Sequence, residues 1–66
     1  MRIEIEQEED GRWIAEVADL PGTLVYAPTA ELAEARVKAL ALRVMADRLE
    51  HGEVIPELRE VFSVAA

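Results

Sequence analysis

The feature that most constrains this fold is an uninterrupted stretch of helix-forming residues at positions 30–50. Nearly all of it is Ala, Leu, Glu, Arg, Lys and Met, and it contains neither Gly nor Pro. Pro28 precedes it, Thr29 is a candidate N-cap, and Gly52 stands where a left-handed C-terminal cap belongs. The stretch therefore predicts one long helix, close to a third of a 66-residue chain.

Short segments with β-strand character flank this helix. Residues 2–8 and 12–18 alternate apolar and polar side chains, as half-buried strands do, and residues 23–27 predict a third strand. Residues 60–64 predict a fourth strand after the helix. The predicted fold class is α+β, in the order β-β-β-α-β, with one antiparallel sheet and one long helix packed on one face. All 66 residues form a single domain in this prediction.

The phase of the alternation predicts how the first two strands pair. A three-residue loop at positions 9–11 pairs Ile5 with Ala15 and Ile3 with Val17, so that apolar side chains share one face. It also places Gly11 at the left-handed third position of such a loop. Trp13 falls on the apolar face and is predicted to be a core residue.

The predicted helix carries two apolar stripes. The first stripe is predicted to pack on the sheet, and it comprises Leu32, Ala35, Ala39, Leu42, Ala46 and Leu49. The second comprises Ala33, Val37, Leu40 and Val44. Two interpretations stay open: two packing partners, or one broad buried face from which long cations extend. Under the interpretation with two packing partners, the candidate oligomer interface is Ile14, Val37, Leu40, Val44 and Val61.

Charge and composition exclude several functions. Seven Lys and Arg against fourteen Asp and Glu give a net charge of −7, which disfavours direct binding to nucleic acid or to an anionic membrane. The chain has no Cys, no membrane-spanning apolar run and no signal-peptide pattern, so we expect a cytoplasmic protein. A small core without disulfides favours a homodimer, with a tetramer next. The absence of Asn and the preference for Arg over Lys are thermophile-like.

No constellation of residues predicts catalysis. His51 is the only His and Ser63 the only Ser, which leaves no triad, and the position of His51 suits the C-terminus of the helix. An acidic cluster comprises Glu4, Glu6, Glu8, Glu9 and Asp10. Most of its members alternate on one side of a single strand, which is typical of a solvated face. We therefore expect no enzyme activity, no cofactor and no metal site.

Three motifs together resemble the HicB-like antitoxin family. They are the Gly-x-aromatic strand of residues 11–17, the turn Asp19-Leu20-Pro21-Gly22, and the helix start Thr29-Ala30-Glu31-Leu32-Ala33. The chain departs from the family pattern at Leu32, where the family usually has Glu, and at residues 27–28, where Ala-Pro replaces Gly-Asp. The resemblance covers about residues 1–50.

The resemblance implies an antitoxin of a toxin–antitoxin system that binds and neutralises a small basic HicA-like ribonuclease. Asp19, Leu20, Pro21 and Gly22 are the candidate partner-contact turn. Full-length HicB proteins add a DNA-binding domain, so we expect a short stand-alone form without the operator-binding role. One alternative is an orphan regulatory or ligand-binding oligomeric domain with no toxin partner. A second is a carboxylate- and Mg²⁺-dependent nuclease of degenerate ribonuclease-H-like type.

Overall fold

The chain folds into a three-stranded antiparallel sheet with one long helix across one of its faces. The computed structural model describes residues 1–65. Its elements are β1 (Ile3–Gln7), β2 (Trp13–Val17), β3 (Leu24–Ala27), α1 (Ala30–Glu50) and a 3-10 helix (Pro56–Glu60). The strand order is β1-β2-β3, so β2 is central and both outer strands have one free edge. The predicted α+β class and the order β-β-β-α are confirmed.

The first hairpin has the register that the alternation predicts. Ile3 lies opposite Val17 and Ile5 opposite Ala15. The Glu8 amide donates to the Arg12 carbonyl at 2.7 Å, which closes a loop of three residues. Gly11 ends this loop with φ +91°, a left-handed conformation that costs a glycine little.

The second connection is a tight turn over residues 20–23. The Thr23 amide donates to the Leu20 carbonyl at 3.0 Å, and Gly22 between them has φ +86°. Pro at the second position and a left-handed Gly at the third are the residues that a type II turn favours. The turn makes β3 antiparallel to β2, with Ala15 opposite Val25.

Both ends of α1 are capped as predicted. The Leu32 amide donates to Thr29 Oγ1 at 3.1 Å, which satisfies one of the free donors of the first turn. At the other end Gly52 has φ +81°, and its amide donates to the Leu49 carbonyl at 3.1 Å. The Glu53 amide donates to the Arg48 carbonyl at 2.9 Å, which completes a Schellman motif.

The side of α1 that packs on the sheet is opposite to the predicted one. Its buried residues are Ala33, Val37, Ala41 and Met45, whereas Leu32, Leu42 and Leu49 of the first stripe are 38%, 64% and 48% exposed. The prediction that this leucine stripe joins the core is therefore wrong. Only two residues connect β3 to α1, so the turn after buried Ala27 directs Ala33 and Val37 at the sheet. Two of these four buried side chains are alanines, which permit the helix to approach the sheet closely.

The predicted fourth strand is also wrong. The chain returns to the core at Ile55, which is buried, and at Leu58, which packs against the core. Residues 61–65 then form neither helix nor strand, and Val61, Phe62 and Val64 are exposed. The alternating pattern is present in this segment, but no strand of the described part of the chain pairs with it, and a strand needs a neighbour to bond its backbone groups.

Candidate protein-binding surface

The face of the sheet opposite α1 is the candidate binding surface, and we call it the open face. No helix or strand within residues 1–65 covers it. Because side chains alternate along a strand, its members are the residues between the core positions. Register places them in two cross-strand rows, Glu4–Glu16–Leu24 and Glu6–Ile14–Tyr26.

The β1 and β2 side of the open face forms a shallow acidic depression of about 130 Å³. Glu4, Glu6 and Glu16 surround Ile14, which is half-buried at the bottom. Arg2 lies at the edge, with Nε 3.9 Å from Glu4 Oε1, and both side chains are well exposed. Three carboxylates around one apolar side chain give a surface that attracts cations and can bury an apolar group.

The β3 side of the open face is apolar and aromatic. Leu24 and Tyr26 are both exposed. The Arg12 guanidinium lies 4.5 Å from the centre of the Tyr26 ring, a cation–π arrangement. The Tyr26 carbonyl accepts a hydrogen bond from Arg36 Nη1 at 3.3 Å, which joins β3 to α1. Tyrosine and arginine are enriched in protein interfaces, so this side suits a protein partner.

The tip of the first hairpin is a second acidic region. Arg12 Nε donates to Asp10 Oδ2 at 2.7 Å, and the Arg12 amide donates to Asp10 Oδ1 at 3.0 Å. The hydrogen bond from the backbone amide, followed by that from the guanidinium, holds the pKa of Asp10 below the ordinary value of an aspartate. Within residues 1–65, no three His, Cys, Asp or Glu side chains converge in a way that could hold a metal ion.

The candidate partner-contact turn is only partly available to a partner. Leu20 is 2% exposed and belongs to the core, so its assignment as a contact residue is wrong. Asp19, Pro21 and Gly22 are exposed, and Asp19 Oδ2 accepts a hydrogen bond from the Arg2 amide at 3.1 Å. A leucine before Pro-Gly anchors this turn in the core.

The candidate oligomer residues do not form one surface. Val37 is fully buried in the core, so its assignment to an interface is wrong. Leu40 and Val44 are half-buried on α1, Ile14 lies across the sheet on the open face, and Val61 is exposed near the C-terminus. The open face and α1 are separated by the sheet itself, so one partner does not cover all of these side chains.

His51 is the C-cap residue of α1 and directly precedes Gly52. Its Nδ1 lies 2.7 Å from the Asp47 carbonyl oxygen and 3.5 Å from Asp47 Oδ1. A carbonyl can only accept, so Nδ1 carries the hydrogen in this contact. The same carbonyl accepts the His51 backbone amide at 3.1 Å, so the imidazole adds a second hydrogen bond at the end of the helix.

Sequence reasoning missed an apolar groove between β1 and α1. Its volume is about 240 Å³, and its lining includes Met1, Ile3, Met45 and the exposed Leu42. The buried side of α1 takes Ala33 and Val37 from the second stripe and Ala41 and Met45 from neither stripe. This rotation leaves Leu42 of the first stripe at the edge of the groove.

Comparison of the chain with protein-family models, with curated proteins and with solved structures finds no significant match. The HicB-like motifs therefore stay a resemblance. No helix within residues 1–65 is both long and apolar enough to cross a membrane.

Proposed function

We propose that this chain is a non-enzymatic, HicB-like antitoxin-type module that acts in the cytoplasm and binds a small basic HicA-like ribonuclease on its open face. The observation that carries the proposal is the composition of that face. Three carboxylates around half-buried Ile14 and an exposed tyrosine lie together on the face of the sheet that the helix leaves uncovered.

Electrostatics within the open face favours a cationic partner. Glu4 and Glu16 lie directly opposite each other on neighbouring strands. Like charges in this position destabilise a sheet, by roughly 0.2–1 kcal/mol for a cross-strand pair. A Lys or Arg placed between the two carboxylates relieves this repulsion. The net charge of −7 also accelerates encounter with a basic protein at low ionic strength.

The apolar part of the open face supplies the specific contact. Ile14 lies between Glu6 and Tyr26 in one cross-strand row. Charged residues around a small apolar and aromatic centre match the arrangement of protein interfaces, in which the centre contributes most of the binding energy. A partner that inserts an apolar side chain over Ile14 keeps its cations within reach of the surrounding carboxylates.

The identity of the partner comes from the motifs. Their order resembles the HicB-like antitoxin domain, whose usual partner HicA is a small basic ribonuclease. Binding over the toxin's active site requires no chemistry from this chain, which agrees with its single His and single Ser.

The test begins with the short basic open reading frame that the proposal expects beside this gene. Its product is purified, and RNA cleavage is measured as the antitoxin chain is titrated in. We expect stoichiometric inhibition. The double charge reversal Glu6→Lys and Glu16→Lys should weaken inhibition by about tenfold or more, with a smaller dependence of the association rate on salt.

The matched control is the double reversal Glu53→Lys and Glu57→Lys, which makes the same charge change at two exposed positions beyond the end of α1. It should leave inhibition within about twofold of the unsubstituted chain. The absence of a gene for a small basic protein beside this one would contradict the toxin proposal. Ribonuclease activity that is undiminished at a large molar excess of this chain would also contradict it. That outcome would favour the orphan regulatory domain.

A further inference from the structure

The outer side of α1 carries a regular apolar stripe that the core does not use, and we call it the outer stripe. Its six residues are the first stripe of the sequence, Leu32, Ala35, Ala39, Leu42, Ala46 and Leu49. They are separated by three, four, three, four and three residues. This is the heptad spacing of the a and d positions of a coiled coil, maintained over the length of the helix.

The outer stripe is distinct from the side that packs on the sheet. The buried residues Val37 and Ala41 lie on the opposite side of α1 from Ala39 and Ala46. A helix that only covers a sheet needs one apolar stripe, and a strict a/d stripe is the narrower pattern of a helix–helix seam. The outer stripe is therefore suited to a second helix.

The leucines of the outer stripe are exposed enough for a partner to bury them. Leu32, Leu42 and Leu49 are 38%, 64% and 48% exposed. Leu42 also lines the apolar groove of about 240 Å³ between β1 and α1. Exposed apolar side chains in a regular row are typical of an interface.

Charges beside the outer stripe permit two acidic chains to meet there. The heptad places Arg36, Lys38 and Arg43 beside the stripe, together with Glu31 and Glu50. Three of the seven cations thus lie at this border against two of the fourteen acids. The rest of the surface carries the negative charge that would keep two copies apart.

We propose that a second copy of this chain covers the outer stripe, so that two α1 helices form the seam of a homodimer. A two-fold axis brings the same surface of both copies together, and the stripe supplies both halves of such a contact. Ala35, Ala39 and Ala46 let the helices approach closely, and the three leucines fill the spaces between them. Neither sheet takes part in the contact, so the open faces of both copies stay free.

This dimer does not depend on the proposed function, because it uses the other side of the molecule. If both hold, the assembly contains two antitoxin chains and two toxins. If toxin binding fails, the dimer prediction is unaffected.

The test is sedimentation equilibrium of the purified chain from micromolar to several hundred micromolar concentration. We expect a mass twice that of the 7.3 kDa chain. Leu42→Lys should raise the dissociation constant by about 100-fold or more, because it places an unpaired ammonium in an apolar seam. The matched control is Leu24→Lys on the open face, which should leave the dimer intact.

Circular dichroism confirms that each variant is folded. If Leu42→Lys unfolds, Ala46→Lys takes its place, because Ala46 is exposed and lysine is a good helix former. A monomer throughout the concentration range would overturn the proposal. A dimer whose dissociation constant is unchanged by the lysine substitution in the outer stripe would also overturn it. So would a dimer that Leu24→Lys dissociates.

Discussion

Shortening Val37 to alanine should destabilise the chain far more than shortening Leu42, although leucine is the larger residue. Val37 is 0% exposed and lies among Ala15, Val17 and Ala33 in the core. The substitution removes two buried carbons, at about 0.8 kcal/mol each, and leaves a cavity. The expected loss is about 2–3 kcal/mol.

That loss is a large fraction of the total stability. At roughly 0.05–0.15 kcal/mol per residue, a chain of this length unfolds with about 3–10 kcal/mol. Each kcal/mol lowers the melting temperature of such a small domain by about 4–8 °C, so Val37→Ala should lower it by about 10–20 °C. Within residues 1–65, four of the nine buried apolar residues are alanines, so few large side chains remain to compensate.

Leu42→Ala is the matched substitution on the other side of the helix. Leu42 is about two thirds exposed, so in the monomer its truncation should cost less than about 1 kcal/mol. At concentrations where the dimer forms, the cost should increase, because the interface of the outer stripe is then lost.

The assay is thermal unfolding followed by circular dichroism at a low and a high protein concentration. Val37→Ala should lower the melting temperature at both, and Leu42→Ala mainly at the high one. A large effect of Leu42→Ala in the dilute monomer, together with a small effect of Val37→Ala, would refute the assigned rotation of the helix.

Three further predictions concern the turns and the edge of the core. Thr23 Oγ1 is buried without a hydrogen-bond partner, so Thr23→Val, which keeps the shape, should raise stability by about 1–2 kcal/mol in urea unfolding; a lower stability would reveal a bond to the hydroxyl. Gly11→Ala should cost about 1–2 kcal/mol from its left-handed backbone alone, because a Cβ there meets no atom within 4 Å; an unchanged urea midpoint would contradict this. Hydrogen bonds from Arg12 lower the pKa of Asp10 in the folded chain. The Asp10 carboxylate therefore stabilises the fold at pH values above the ordinary pKa of an aspartate, and this stabilisation is lost as the pH falls below about 4. The stability difference between Asp10→Asn and the unsubstituted chain should therefore shrink in acid, and a pH-independent difference would exclude the Arg12 hydrogen bonds as its cause.

The two sides of the molecule suit different tasks. The open face has the charge and the tyrosine of a surface that binds a basic protein, whereas the outer stripe of α1 has the regular spacing of a surface that binds its own copy. The small sheet separates the two surfaces, so the proposed dimer and the proposed toxin complex use different residues.

Local features of the sequence determined the first hairpin and the bounds of the helix. Two alternating segments share a core face in only one phase, and that phase requires a loop ending at Gly11 in a left-handed conformation. Thr29 and Gly52 mark the helix ends because their side chain and backbone satisfy donors and acceptors that lie within a few residues. Interactions over such short separations can be recognised in the sequence because both partners are adjacent in it.

Tertiary structure alone decided which stripe of α1 enters the core and whether residues 60–64 form a strand. Both stripes are apolar, so hydropathy did not give the rotation of the helix. The short β3–α1 connection set that rotation, and it buries Ala41 and Met45, which belong to neither stripe. The segment around Phe62 has strand-like alternation, but a strand exists only where a neighbour bonds its backbone, and the described residues supply none. Leu20 likewise read as a surface turn and lies in the core, because burial depends on what the rest of the chain places over a residue.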